Sequence, residues 1–267
     1  MFHAREYVRP SSLEEAYQLC QKRRNLVVGG MMWLKMENIT KQTIVDLGAL
    51  GLDQIEEDEE EFRIGCMVTL RMLETHSGLN REFDGIFREC TRHIVGVQFR
   101  NGATVGGSVY GRFGFSDILT CLMALDTYVE LYHGGVMPLA EFAEKPVSGK
   151  ERDILVRIMI KKDGRRAAYQ TVRKSKTDFP LIACCVARTG EGWQVSVGAR
   201  PKKASAVLVK GEAGKDPELL AGHAAAQFTY GSNLRGSADY RAYLAEVLIR
   251  RLAEQIKKTE EKQEADR

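Results

Sequence analysis

Two glycine-rich segments are the part of this sequence whose residue types and spacing best fit chemistry. The first, "NLVVGGMMWLK" at 25–35, runs from an apolar strand into Gly29 and Gly30, and the second, "RNGATVGGSVYGRFGFSD" at 100–117, contains Gly106 and Gly107. Glycine is favoured where the backbone takes a positive φ, or where a diphosphate must approach the backbone amides closely. Two such loops suit one dinucleotide, but plain tight turns explain the same glycines, so the pattern leaves both interpretations open.

Several other chemistries are excluded by spacing. Neither segment has the G-x-G-x-x-G pattern of a Rossmann NAD site. Around Ser108, Tyr110 stands where a nucleophile elbow requires glycine, so a serine hydrolase is not expected. No two histidines are four residues apart, and no C-x-x-C pair occurs among the six cysteines, which we expect to be reduced and buried. We therefore predict no metal site, and no residue of this chain is assigned a catalytic role.

Composition and charge limit the partners and the compartment. Lys plus Arg number 39 against 36 Asp plus Glu, a net charge of +3, which gives no basic field for nucleic acid or for a membrane surface. The longest apolar runs are far shorter than the roughly 18 residues that a spanning helix needs. The start "MFHAREYVRP" lacks the apolar core of a signal peptide. A cytoplasmic protein is the expectation.

Hydrophobic periodicity predicts an α+β chain. Ser12 and Glu15 stand at capping-box spacing before a helix over 12–23, and "LVV", "TIVDL" and "EFRIGC" are typical of short strands. The acid run Glu56–Glu61 is interpreted as a solvated hairpin turn, because adjacent acids repel one another too strongly to converge on a metal. Further helices are predicted at 69–76, 81–92 and 117–125, followed by a hairpin in "TYVELYHGGVMPL".

The sequence pattern changes to closely spaced strand-like runs after about residue 153. Four runs at meander spacing predict one antiparallel sheet: "DILVRIMI", "RRAAYQTV", "LIACCVA" and "GWQVSVGA". Adjacent Cys184 and Cys185 would point to opposite faces of such a strand. Two helices follow, near 216–228 and 238–257, and the charged end of the chain is expected to fray.

Five segments resemble one known family along nearly the whole chain and in the same order. They are "FHAREYVRPSSLEEAYQLC", "LVVGGMMWLK", "FRIGCMVTLRMLE", "FRNGATVGGSVYGRFGFSDILTCLMALDTYVEL" and "GSADYRAYLAEVLIRRL". Together they resemble the FAD-binding subunit of the xanthine dehydrogenase and carbon monoxide dehydrogenase family of molybdenum hydroxylases. The second loop is the most specific match, since the family carries Arg-Asn-x-Ala-Thr-x-Gly-Gly-Asn followed nine residues later by aspartate. The matching residues are Arg100, Asn101, Ala103, Thr104, Gly106, Gly107, Ser108 and Asp117.

This resemblance implies a domain plan. An FAD-binding domain of the PCMH type would occupy 1–162, with subdomains at about 1–53 and 54–162. A C-terminal flavoprotein domain with an antiparallel sheet and helices would occupy 163–257, and 258–267 would form a charged tail.

The resemblance also implies the residues that bind FAD. The first loop, which holds the diphosphate in the family, corresponds to Leu26, Val27, Val28, Gly29, Gly30, Met31, Met32 and Trp33. The second loop, which lies on the same cofactor, corresponds to Thr104, Val105, Gly106, Gly107 and Ser108. The family aspartate contacts FAD, which implies that role for Asp117; independently, an acid in the first turn of a helix is favourable by about 0.3–1 kcal/mol.

Three positions depart from the family pattern. Met31 and Met32 stand where Thr and Asp are usual, and Ser108 replaces Asn. Each lost hydrogen bond to a charged phosphate costs about 1.5–3 kcal/mol, but backbone amides remain available. We therefore predict noncovalent FAD, with the methionines and Trp33 forming an apolar wall. The alternative is that these three side chains only pack the core beneath a tight turn.

The resemblance further implies an electron-transfer subunit of a larger complex. A molybdopterin-binding subunit would oxidise the substrate, with xanthine or another purine the leading candidate. An iron-sulfur subunit would relay electrons to FAD, and NAD would be the electron acceptor. Two alternatives remain open: a flavin-free structural subunit of such a complex, and a stand-alone FAD oxidoreductase.

Overall fold

A computed structural model describes residues 1–146 and 152–265 and confirms the α+β class, with antiparallel sheets and helices. The strands are β1 His3–Val8, β2 Leu26–Val28, β3 Thr40–Asp46, β4 Ile55–Glu57, β5 Glu61–Gly65, β6 Thr127–Leu131, β7 Gly135–Pro138, β8 Leu155–Lys161, β9 Arg166–Val172, β10 Ile182–Thr189, β11 Gly192–Gly198 and β12 Ser205–Val209. The helices are α1 Leu13–Gln21, α2 Leu70–Thr75, α3 Ser77–Glu82, α4 Ile86–Thr91, α5 Val97–Gly102, α6 Val105–Tyr110, α7 Asp117–Leu122, α8 Leu139–Glu144, α9 Pro217–Ala225 and α10 Ala238–Ala265.

The chain forms two compact units, each assembled from separate stretches of sequence. Unit 1 comprises Met1–Leu73, Gly96–Gly111 and Thr127–Lys161, and unit 2 comprises Glu74–Val95, Arg112–Asp126 and Lys162–Arg267. The contiguous domains 1–162 and 163–257 stay a prediction, because compact packing and domain identity need not divide a chain at the same residues.

Unit 1 begins with a three-stranded parallel sheet in the order β1-β3-β2. Helix α1 follows β1, and its predicted cap is present, since the Ser12 hydroxyl accepts a hydrogen bond from the Glu15 amide at 3.2 Å. Strand β2 ends at Val28, which lies beside Asp46 at the end of β3. The first glycine pair therefore leaves the sheet where two parallel strands end.

Unit 1 also contains a five-stranded antiparallel sheet in the order β4-β5-β8-β6-β7. The middle of the acid run, Asp58 to Glu60, forms the turn of the β4-β5 hairpin as predicted, whereas Glu56 and Glu57 lie in β4 and the buried Glu61 begins β5. The run "DILVRIMI" was wrongly placed in the C-terminal sheet: it is β8, which pairs with β5 and β6 here. Its alternate side chains bury against those of its neighbours, and the buried set includes Phe62, Ile64, Val129, Ile158 and Ile160.

Unit 2 is built on a four-stranded antiparallel sheet in the order β12-β11-β10-β9. The fourth strand is β12, which the sequence analysis did not predict. Cys184 packs in the apolar core with residues of α9 and α10, whereas the neighbouring Cys185 interacts with Cys121 of α7 on the opposite face. All six cysteines are free and buried, as expected.

Two helices have bounds in the structure that differ from those predicted from the sequence. The stretch 81–92 forms parts of two helices, because Asp84 and Gly85 take positive φ values of 53° and 77° between α3 and α4. The predicted tail is helical as far as Ala265, since α10 continues through residues with good helix propensity and no breaker; residues 266–267 lie outside the described part. Within the described residues, no helix is long and apolar enough to cross a membrane.

Candidate cofactor site

The first glycine loop presents a row of unpaired backbone donors. Within the described residues, the amides of Gly29, Gly30, Met31 and Met32 donate no hydrogen bond to a protein acceptor. Met31 takes a φ of 56°, in the left-handed region that non-glycine residues rarely adopt. Successive free amides around a left-handed residue are typical of the concave backbone arrangement that binds anions.

The second glycine segment is largely helical, whereas the sequence analysis treated it as a loop. Helix α5 precedes the pair, and α6 begins after Thr104, whose hydroxyl accepts from the Gly107 amide at 3.2 Å. The Val105 and Gly106 amides donate to the carbonyls of Val68 and Cys66. Since these amides are already bonded within unit 1, the second segment does not present a row of free donors like that of the first.

Close packing, rather than positive φ, explains most of these glycines. A Cβ on Gly30 would lie 1.3 Å from the carbonyl oxygen of Gly102, and a Cβ on Gly29 would lie 2.3 Å from the Thr104 hydroxyl. None of these glycines has a positive φ. The two loops are therefore in direct backbone contact, which only glycine permits.

Gly107 is the exception among the paired glycines. It is exposed, and a Cβ there would meet only the Thr104 hydroxyl, at 3.1 Å. Its outward side is thus open, and a ligand is able to approach the backbone of α6 at this point. A side chain at Gly107 would occupy part of this open surface, so glycine leaves the backbone accessible to a ligand.

The side chains around the loops differ in accessibility. Val28 and Val105 are buried, whereas Met31, Met32 and Trp33 are half-buried, together with Leu26 and Val27. The methionines and Trp33 thus do not belong to the fully buried core. Their role as an apolar wall stays a prediction.

Two polar groups near α6, the Ser108 hydroxyl and the Cys66 thiol, are uncharged. The Ser108 hydroxyl, at the position where the family has Asn, donates to the Thr104 carbonyl at 3.0 Å. Burial raises the pKa of the Cys66 thiol to about 12, so it is neutral at physiological pH. The free amides of the first loop and the open surface at Gly107 therefore fit an anionic group such as the diphosphate of FAD.

Asp117 lies in unit 2 at the start of α7, where it is 4 % exposed. Its Oδ1 accepts hydrogen bonds from the Tyr169 hydroxyl at 2.5 Å and from Arg173 Nη2 at 2.6 Å. Burial raises the pKa of Asp117, and the charge of Arg173 and both hydrogen bonds oppose that shift. The predicted helix-start position is confirmed, whereas contact with FAD stays a prediction.

Tyr169 and Arg173 are the partners of Asp117 that sequence reasoning missed. They are 52 and 56 residues from Asp117, and no local spacing links them to it. The sequence shows only that Tyr169 and Arg173 lie in or just after a predicted strand. That position does not identify Asp117 as their partner. Burial also raises the pKa of Tyr169 well above its usual value, so its hydroxyl remains a donor.

Three buried thiols lie near this ion pair in unit 2. Cys121 is within hydrogen-bonding reach of Cys90 and Cys185, and burial raises the pKa of Cys90 and Cys121. Neutral thiols do not bind metals well, because the thiolate is the ligand. Across residues 1–146 and 152–265, no group of His, Cys, Asp or Glu is arranged to hold a metal ion.

Comparison with known proteins identifies the family of the chain. The sequence model described as "FAD binding domain in molybdopterin dehydrogenase" matches residues 2–161. The carbon monoxide dehydrogenase medium chain of Afipia carboxidovorans is 27% identical, covering 94% of this chain and 96% of its own. The nicotine 6-hydroxylase medium subunit of Paenarthrobacter nicotinovorans is 26% identical, covering 92% and 94%.

A solved structure shows the same fold. It is a carbon monoxide dehydrogenase from Hydrogenophaga pseudoflava that lacks the Mo-pyranopterin moiety of its molybdenum cofactor. The TM-score is 0.81 at 20% identity, and the alignment covers 94% of this chain and 96% of the other. At that identity the likeness establishes the fold alone.

Proposed function

Because the chain belongs to the family of FAD-binding domains in molybdopterin dehydrogenases, we propose that it holds one noncovalent FAD and transfers electrons as a subunit of such a complex. The observation that carries this proposal is the row of free amides at Gly29–Met32, next to the open backbone at Gly107. A phosphate group accepts hydrogen bonds from several backbone amides at once. Neither a tight turn nor core packing requires such a row of free amides.

Each part of the chain has a distinct task in this proposal. The amides of the first loop bind the diphosphate, and the contact between Gly30 and Gly102 fixes that loop against the second. Gly107 leaves room for the cofactor, and Asp117 contacts FAD while Arg173 and Tyr169 hold its carboxylate. When bound, FAD supplies the exchange between one-electron and two-electron transfer.

The finer assignments rest on the family resemblance. We propose that electrons arrive from iron-sulfur clusters on a second subunit and leave for NAD, in a cytoplasmic complex. A molybdopterin subunit would select the substrate, and a purine such as xanthine remains our leading candidate. The relatives are named for carbon monoxide and nicotine, so substrate identity varies among proteins with similar medium subunits.

The isolated chain is expected to show no dehydrogenase activity towards purines or aldehydes. Among the described residues no group of His, Cys, Asp or Glu is arranged to hold a metal ion, and in this proposal the electrons come from iron-sulfur clusters on another polypeptide. The measurement is anaerobic NAD reduction with the chain alone, and then with its iron-sulfur and molybdopterin subunits added. Purine oxidation at full rate by the chain alone, free of iron and molybdenum, would show that the assignment is wrong.

A further inference from the structure

Lys35 follows the first glycine loop directly and turns back towards it. Its amide donates to the Met31 carbonyl at 3.0 Å, so its backbone lies one turn beyond the left-handed residue. Its Nζ lies 3.5 Å from the Met32 sulfur. Both contacts are to residues of the first loop whose own amides are unpaired, so Lys35 belongs to the same short segment as the free donors.

Among the described residues, the Met32 sulfur is the one side-chain contact of the exposed Lys35 ammonium. A thioether sulfur is only a weak acceptor, and it satisfies one of the three ammonium donors at most. Among residues 1–146 and 152–265, no carboxylate lies within ion-pair distance of Lys35. The ammonium therefore has hydrogen-bonding capacity left for a ligand.

The Met32 side chain contacts both the Lys35 ammonium and the second loop. A Cβ at Gly102 would be 2.8 Å from the Met32 sulfur, so the thioether packs against the second loop on one side and contacts Lys35 on the other. Gly102 has no side chain, which gives Met32 room to occupy this position. The two loops and Lys35 are thereby joined through one side chain in unit 1.

We propose that Lys35 is a binding residue for the cofactor diphosphate, supplying the positive charge beside the amides of Gly29–Met32. This inference rests on the proposed function, since it names a further residue at the same site. A diphosphate is strongly anionic, and four neutral amides do not neutralise it. Lys35 therefore provides a charged contact where Met31 and Met32 provide none through their side chains.

The test is the FAD dissociation constant of the full chain, measured by flavin fluorescence at two salt concentrations. Lys35→Ala should weaken FAD binding about fivefold at about 0.05 M salt, in the range of an exposed charge pair. The difference from wild type should shrink at about 0.5 M salt, because ions screen exposed charges. Lys35→Arg should retain most of the affinity.

Lys41→Ala is the matched control. Lys41 lies five residues before Asp46 on β3, about 16 Å from the strand end where the first loop begins. The Lys41→Ala substitution also removes one positive charge from unit 1, and it should leave the affinity for FAD unchanged.

The outcomes separate this proposal from the proposed function. If Lys35→Ala binds FAD like Lys41→Ala, or if its loss is the same at both salt concentrations, Lys35 does not act as a diphosphate cation. If the wild-type chain binds no FAD, the proposed function and this inference are both wrong.

Discussion

Gly30→Ala is expected to disrupt the packing of the two glycine loops and to destabilise the chain by about 3 kcal/mol or more. The added Cβ would lie 1.3 Å from the Gly102 carbonyl oxygen, a backbone atom that cannot rotate away. Relief requires the loops to separate, which removes the surface that presents the free amides. Urea unfolding followed by circular dichroism measures the loss, and an unchanged midpoint would contradict the close-packing explanation.

Gly107→Ala is the control for this prediction. The new methyl group would meet only a hydroxyl, at 3.1 Å, and alanine favours a helix over glycine by about 1 kcal/mol. We therefore expect stability close to that of the wild type. The contrast separates glycine that packs against backbone from glycine that faces an open surface.

Asp117→Ala is expected to cost about 3–5 kcal/mol of stability, because it leaves the Arg173 guanidinium buried without its carboxylate. The side chains of this ion pair are 5% and 7% exposed, so water does not replace the lost partner. The family resemblance predicts weaker FAD binding as well. Unfolding measurements and FAD titration of the same preparation report the two effects, and a stability loss below about 1 kcal/mol would contradict the structural role.

The double variant Asp117→Leu with Arg173→Met separates stability from cofactor contact. Replacing both partners with apolar side chains of similar size should recover most of the lost stability. If Asp117 contacts FAD, the affinity for FAD stays low although the fold is restored. Recovery of FAD affinity together with stability would show that Asp117 acts only through the fold.

Features set by neighbouring residues were predictable from the sequence. Helix α1 begins where Ser12 and Glu15 indicate, and the acid run turns a hairpin, because each depends on residues a few positions apart. The burial of Cys184 and Cys185 on opposite faces follows from strand geometry in the same way.

Features set by distant residues were not predictable in this way. The strand β8 joins the sheet of unit 1 because it pairs with β5, more than 90 residues earlier, and its alternation fits either sheet equally well. The partners of Asp117 are similarly remote. Pairing over such separations is decided by packing in the whole unit, which a local pattern does not contain.

The prediction of a loop in the second glycine segment was wrong for a different reason. Glycine disfavours a helix by about 1 kcal/mol per residue, so five glycines in this stretch indicated a loop. In the structure, the Thr104 cap and the burial of Val105 and Val109 offset that cost and stabilise α6. Which amides stay unpaired also depends on this packing, so the donors at Gly29–Met32 were visible only in three dimensions.

Acid precipitation of the purified chain after incubation with FAD shows whether the chain holds a noncovalent flavin. We predict one FAD per chain, released into the supernatant as noncovalent cofactor, and no FAD with a folded Gly107→Val variant, whose side chain would occupy the open surface beside α6. A folded wild-type chain that binds no flavin, or flavin that stays with the pellet, would contradict it.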